Sequence, residues 1–212
     1  MHFPPHLAPS LTPADLFGLI AGTSFAAGLN LYATLATLGI LSRAEVIALP
    51  PSLHLLQDGW VIAASLALFA LEFVADKIPV FDLVWNALHT FIRIPVAALI
   101  AYQASAQLPP GLHIATAIAG GLIAFAAHGG KTAARALVTP SPEPLSNMAL
   151  SVGEDLTAIG LTWMATHHPY ATAAIVVVLV LLVIVSVKLV IRALRSLFRG
   201  AEQVVEHKQL TT

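Results

Sequence analysis

Three stretches of this 212-residue chain contain no Asp, Glu, Lys or Arg: Leu16 to Ser42, Ile94 to Gly130 and Leu156 to Val187. A helix that crosses hydrocarbon needs about 20 residues, so each run holds a spanning helix and the last two have room for more than one. A soluble domain carries about 25% charged residues. Here the charged share is 10% and the hydrophobic share 58%, with mean hydropathy +0.84. The chain therefore reads as an integral membrane protein with the lipid bilayer as its first partner. A net charge of −1 offers no basic surface to nucleic acid, and with no cysteine there is no thiolate nucleophile or Cys-ligated metal. The N-terminal segment lacks the Lys/Arg region and short apolar core of a cleaved signal, so the first span is expected to stay in the mature protein.

The polar residues are as constraining as the apolar ones. Gly59 to Leu71 is 13 uncharged residues, about 20 Å of helix, against a hydrocarbon core about 30 Å thick. That helix spans only if Glu72, with Asp76 behind it, lies at membrane depth. Beyond the charged stretch, Ile94 to Gln107 is 14 residues ahead of Pro109-Pro110-Gly111, which draws Arg93 and His89 inside in the same way.

The expected fold is all-α, a six-helix membrane bundle over residues 1–199 with a cytoplasmic tail at 200–212. Helix one starts at a Thr12 cap followed by Pro13 and Asp15 and runs to about Leu41. Its Gly18, Gly22, Ala26, Asn30 and Thr34 recur every four residues, a small-residue stripe suited to close packing; the mid-membrane amide of Asn30 needs a partner. A loop with Pro50-Pro51 leads to helix two at Gly59, and polar, re-entrant-like breaks are expected after helices two and four. The fourth helix ends at His128-Gly129-Gly130, with 131–155 polar and proline-broken. The fifth reaches His167-His168-Pro169, and the sixth, from Tyr170, is apolar on every face. Lys188, Arg192, Arg195 and Arg199 put the C-terminus in the cytoplasm, and counting back through six spans puts the N-terminus there too. A loose internal echo relates 59–107 to 112–166, each with an apolar helix, a lysine-bearing break (Lys77, Lys131) and a helix entered through a charge, as in transporters built from repeats.

Four helix faces carry the candidate site. Glu72 and Asp76 share one; Asp82, Trp85, His89 and Arg93 another; His128, Lys131 and Arg135 a third; Asn147, Ser151 and Glu154, beside Asp155, a fourth. An unpaired charge in lipid costs several kcal/mol, so these groups should pair across the bundle: Glu72 or Asp76 with Lys131 or Arg135, and Arg93 with Glu154 or Asp155. Structural roles stand beside functional ones: Asp82 as a helix cap, Lys77 as a snorkelling residue, Trp85 as an interface anchor, His128 as a packing residue, and the ion pairs as a helix-holding network. Small-residue packing holds helices together in lipid more cheaply than charges do, which favours function for Glu72, Arg93, Lys131 and Glu154. No spacing of metal-ligand type such as HExxH occurs, Gly129-Gly130-Lys131-Thr132 lacks the glycines and strand of a P-loop, and nothing points to a cofactor.

The blocks EFVADKIP (Glu72–Pro79), HTFIR (His89–Arg93) and SPEPLSN (Ser141–Asn147), with GLNLYATL in the first helix and GED at 153–155, resemble domain-of-unknown-function family 4126. These are small bacterial integral membrane proteins, and the resemblance covers about residues 15–195. The family pattern continues Arg-Pro where this chain has Arg93-Ile94-Pro95. The resemblance implies the membrane fold, a bacterial cytoplasmic membrane and the location of the site, but no activity.

Charges at depth beside broken helices suggest transport of an ion or small polar, anionic solute. Glu72 or Glu154 would carry the coupling proton, and Lys131, Arg135 and Arg93 would hold the solute or its counter-charge. Two other readings stay open. One is an enzyme acting on a lipid or isoprenoid head group, with His89 or His128 as acid/base and Arg/Lys on phosphate; the other is an assembly subunit. Oligomeric state, including a homo-oligomer, is open as well.

Overall fold

A computed structural model of the chain describes residues 12–76, 79–138 and 144–210. Among these there is no strand. The helices are α1 (Pro13–Leu29), α2 (Leu31–Arg43), α3 (Gly59–Ala75), α4 (Pro79–Ala104), α5 (Pro110–Val138), α6 (Pro144–His167) and α7 (Pro169–Leu210), with a short 3-10 helix at Pro51–Gln57. The protein is a polytopic helical membrane bundle. By length and composition α4, α5 and α7 each carry a segment able to cross a bilayer, and the 3-10 helix with α3, bent by 64°, makes a fourth where the pair is taken as one span.

The outer surface carries the large apolar side chains. Trp60 is 85% exposed and Phe91 81%, whereas Arg93 and Glu72 are 0% exposed. This inversion of a soluble core is what lipid as solvent requires, since hydrocarbon accepts leucine and rejects charge.

The first apolar segment departs from expectation. Its start is as read: Thr12 accepts from the Asp15 backbone N–H, and the Asp15 carboxylate accepts in return from the Thr12 backbone N–H, with Pro13 in the first turn. The helix does not continue to Leu41. It stops at Asn30, whose backbone turns extended (φ −145°, ψ 104°) while its side chain accepts from Ala33 N–H and so caps α2. The chain then runs back the way it came. Asp15 and Leu19 line one cavity of about 340 Å³ together with Val46 to Leu49, Ala165 to His167 and Pro169. A straight helix would hold Asp15 and Val46 about 46 Å apart, at 1.5 Å per residue.

α1 and α2 are therefore a helical hairpin with Asn30 at its tip. Gly18 packs against the Pro169 backbone, so α1 and α7 begin at the same end of the bundle, and α3 to α7 alternate in direction from there. The even count that put both termini on one side is corrected: the start of α1 and the far end of α7 lie at opposite ends.

The breaks expected after helices two and four involve residues 77–78 and 139–143, which lie outside the described residues. The expectation of a broken stretch from 131 is corrected, because α5 continues to Val138. Residues 131–138 (KTAARALV) are largely good helix formers and the next proline is Pro140, so nothing in them stops the helix. Lys131 is helical rather than part of a break, which removes that element of the internal echo. α4 likewise passes through Pro95 without ending.

α1 is the centre of the bundle and packs against α4, α5, α6 and α7. The glycines of α1 face those neighbours: a Cβ on Gly22, in the stripe, would meet Thr172 Cγ2 at 2.5 Å, and one on Gly28, outside it, would meet Ala127 Cβ at 2.7 Å. Leu16, Ile20 and Ala27 join Leu49, Leu53, Ala97 and Ala101 in one apolar cluster. Phe25 and Ala26 join Ala158, Leu161 and Val176 in another. Both clusters surround α1, and the charged residues gather around its C-terminal tip.

Candidate functional site

The site begins with one backbone substitution. In an unbroken helix the Ala33 N–H would bond the Leu29 carbonyl four residues back. Here the Asn30 side chain takes that N–H at 2.9 Å and Leu29 O is released. Two cations from other helices collect it: Arg93 Nη1 at 3.4 Å and Lys131 Nζ at 3.3 Å. Cations at the carbonyl end of a helix also meet the negative end of its dipole. The hairpin tip is thus wired to α4 and α5.

Around it lies a network of buried ions. Arg93 donates to Glu72 in an ion pair with both side chains fully buried. Lys131 sits 3.6 Å from Glu72, 3.7 Å from Asp76 and 3.1 Å from Glu154. Arg135 donates to Asp76 at 2.7 Å and to Glu154 at 2.9 Å, and Ser151 Oγ donates to Asp76 Oδ2 at 3.0 Å. The pairing of α3 acids with α5 bases is as expected. Arg93 takes Glu72 rather than Glu154 or Asp155; Glu154 is held by Lys131 and Arg135.

Both histidines are tied into the rim. His89 Nδ1 lies 2.7 Å from the Trp85 carbonyl, which only accepts, so that nitrogen carries a proton and Nε2 takes the Tyr32 hydroxyl at 2.8 Å in the neutral ring. Trp85 stacks on the same imidazole at 4.2 Å between centroids. His128 meets Arg93 Nη1 through Nδ1 at 3.5 Å and Thr90 Oγ1 through Nε2 at 2.7 Å. A guanidinium donates and never accepts, so Nδ1 is the acceptor and the Nε2 proton goes to the threonine oxygen.

Asp155 stands apart. Its Oδ1 accepts from Asn30 Nδ2 at 2.8 Å, and its Oδ2 is buried without a hydrogen-bond partner among the described residues. The nearby ion pairs join Glu72, Asp76 and Glu154 to Arg93, Lys131 and Arg135, three acids to three bases. With Asp155 the cluster holds, among the described side chains, one more carboxylate than cation.

Of the residues singled out in the sequence, Glu72, Asp76, Trp85, His89, Arg93, His128, Lys131, Arg135, Glu154, Asp155 and Asn30 come together here. Lys77 lies outside the described residues, as do the side chains of Asp82 and Asn147. Sequence reasoning passed over Tyr32, Thr90 and Asn86, whose Oδ1 accepts from Arg93 Nη1 at 3.5 Å. Their signal was proximity: Tyr32 follows Asn30 by two residues, and Thr90 and Asn86 lie within one helical turn of His89. Among the described residues no group of three or more His, Asp or Glu side chains is arranged to hold a metal ion.

No curated protein and no solved structure matches the chain. A family model described as "Domain of unknown function (DUF4126)" matches residues 17–189, a span that contains the hairpin except its first turn, every described member of the charge cluster and the apolar part of α7. The chain belongs to the DUF4126 family.

Proposed function

We propose that this protein is a membrane transporter or channel for an ion or a small polar, anionic solute, with proton coupling through its buried carboxylates. The observation that carries this reading is the hairpin tip. A helix broken at membrane depth frees a carbonyl, and two cations gather on it beside a balanced set of acids. Discontinuous helices whose ends face charged groups near the midplane are how secondary carriers build ion and solute sites. Arg93, Lys131 and Arg135 would hold an anion in place of the internal carboxylates that occupy them in this state. The acids would shed or take up protons as the anion enters. A network serving only to hold helices together would be a costly choice in lipid, where Gly22 and Gly28 already give close packing.

The family resemblance supports a bacterial cytoplasmic membrane. Lys188, Arg192 and Arg195 at the far end of α7 favour the cytoplasm for that end by the positive-inside rule. The start of α1 would then be external.

The test is ion, proton and anion flux in proteoliposomes for the wild type, Glu72→Gln and Lys131→Ala. Loss of flux in both variants, with the fold retained, is the expected result. Unchanged flux in both, or no wild-type flux under any ion or pH gradient, would refute the reading.

A further inference from the structure

We propose that Asp155 is the proton-carrying group of this site, and that its bond from Asn30 couples proton uptake to the helical hairpin. This deepens the transport reading and rests on it for its biological use. The sequence favoured Glu72 or Glu154 for that role. In the structure both are neutralised by cations: Glu72 by Arg93 and Lys131, Glu154 by Lys131 and Arg135. Asp155, 5% exposed, is the carboxylate left over.

The groups around Asp155 come from each packed element. The hairpin offers Asn30, an N–H donor. α5 offers Lys131, which is engaged at 3.1 Å with Glu154. α3 offers Glu72 and Asp76, both of the same sign as Asp155, and its own helix offers Glu154. α7 has no titratable residue between Tyr170 and Lys188. Among the described side chains one positive charge completes the balance. Glu72, Asp76, Glu154 and Asp155 each keep one buried oxygen without a hydrogen-bond partner, but the first three already share cations, which leaves Oδ2 of Asp155 to accept the charge. A proton fits better than a metal cation, since an amide N–H already points at the carboxylate and no metal-holding group exists among the described residues.

The consequence passes through Asn30. An amide donating to a carboxylate makes a charge-assisted bond, roughly twice as strong as one to a neutral acid. A proton on Asp155 therefore loosens the amide that ends α1, caps α2 through Ala33 and releases the Leu29 carbonyl to Arg93 and Lys131. Proton uptake would free the hairpin tip, and with it the grip on those two cations.

The direct test is an infrared pH titration of the purified protein in lipid, following the protonated-carboxyl C=O band. Asp155→Asn keeps an acceptor for Asn30 and mimics the neutral acid, so it should fold. The expected result is one band that titrates in the wild type, vanishes in Asp155→Asn and persists in Glu154→Gln. A band that persists in Asp155→Asn, or its absence from the wild type, overturns the assignment. This readout needs no transport, so a wild type that titrates through Asp155 yet moves no solute would sink the transport reading while sustaining this one.

Discussion

α1 and α7 are both apolar helices, yet one lies at the centre of the bundle and the other on its rim. Ala26 and Ala27 of α1 are 0% exposed, and Thr23 and Ser24 nearly so, while Leu182 of α7 is 56% exposed. Hydropathy does not separate them, because lipid tails are as apolar as leucine and give helices no reason to hide. Size does. Gly18, Gly22 and Gly28 let α1 approach the backbones of α5, α6 and α7, whereas the Val/Leu/Ile surface of α7 keeps neighbours away. Small residues choose the centre, and the centre is where the charges then gather.

Five substitutions sharpen that contrast, each read as unfolding of the protein in mixed detergent micelles. Glu72→Gln should have the largest effect, about 3–5 kcal/mol, because it strands the fully buried Arg93. Combining it with Arg93→Gln should cost less than the two separate losses added together, which a double-mutant cycle detects. Gly22→Leu should cost about 3 kcal/mol, since even a Cβ meets Thr172 and Ala165 and overpacking strains neighbours that cannot move. Asn30→Ala should cost about 2 kcal/mol, from the lost cap of α2 and a buried Asp155 oxygen left without a donor. Leu182→Ala on the rim should change stability by less than about 0.5 kcal/mol. A rim substitution as costly as Gly22→Leu would show that size does not choose the centre.

The sequence revealed the charged centre through simple length. Thirteen uncharged residues before Glu72 cannot cross a bilayer, so the acid was expected at depth, and in the structure it is fully buried among the helices. The Thr12–Pro13–Asp15 start and the small-residue stripe were equally readable, because caps and glycine spacing act locally. The turn at Asn30 was not. It sits in a long uncharged run without proline, and the same asparagine is compatible with a continuous helix that hydrogen-bonds a neighbour. What breaks the helix is Asn30 serving two partners at once, Ala33 of the next turn and Asp155 of α6, and the second is 125 residues away. The partner of Arg93 was hidden for a similar reason. Charge and facing chose a set of acids, and only the packing of α3 against α4 selects Glu72 from it.

The hairpin is the feature on which both the site and its proposed use depend, and the chain's lack of cysteine makes it directly testable. Single substitutions Thr12→Cys, Ala44→Cys and Ser196→Cys would be probed with a membrane-impermeant maleimide in oriented membranes. Labelling of Thr12→Cys and Ala44→Cys from one side, with Ser196→Cys from the other, is the predicted result. Labelling of Thr12→Cys from the same side as Ser196→Cys, opposite Ala44→Cys, would mean that the first segment crosses without turning, and would contradict the account.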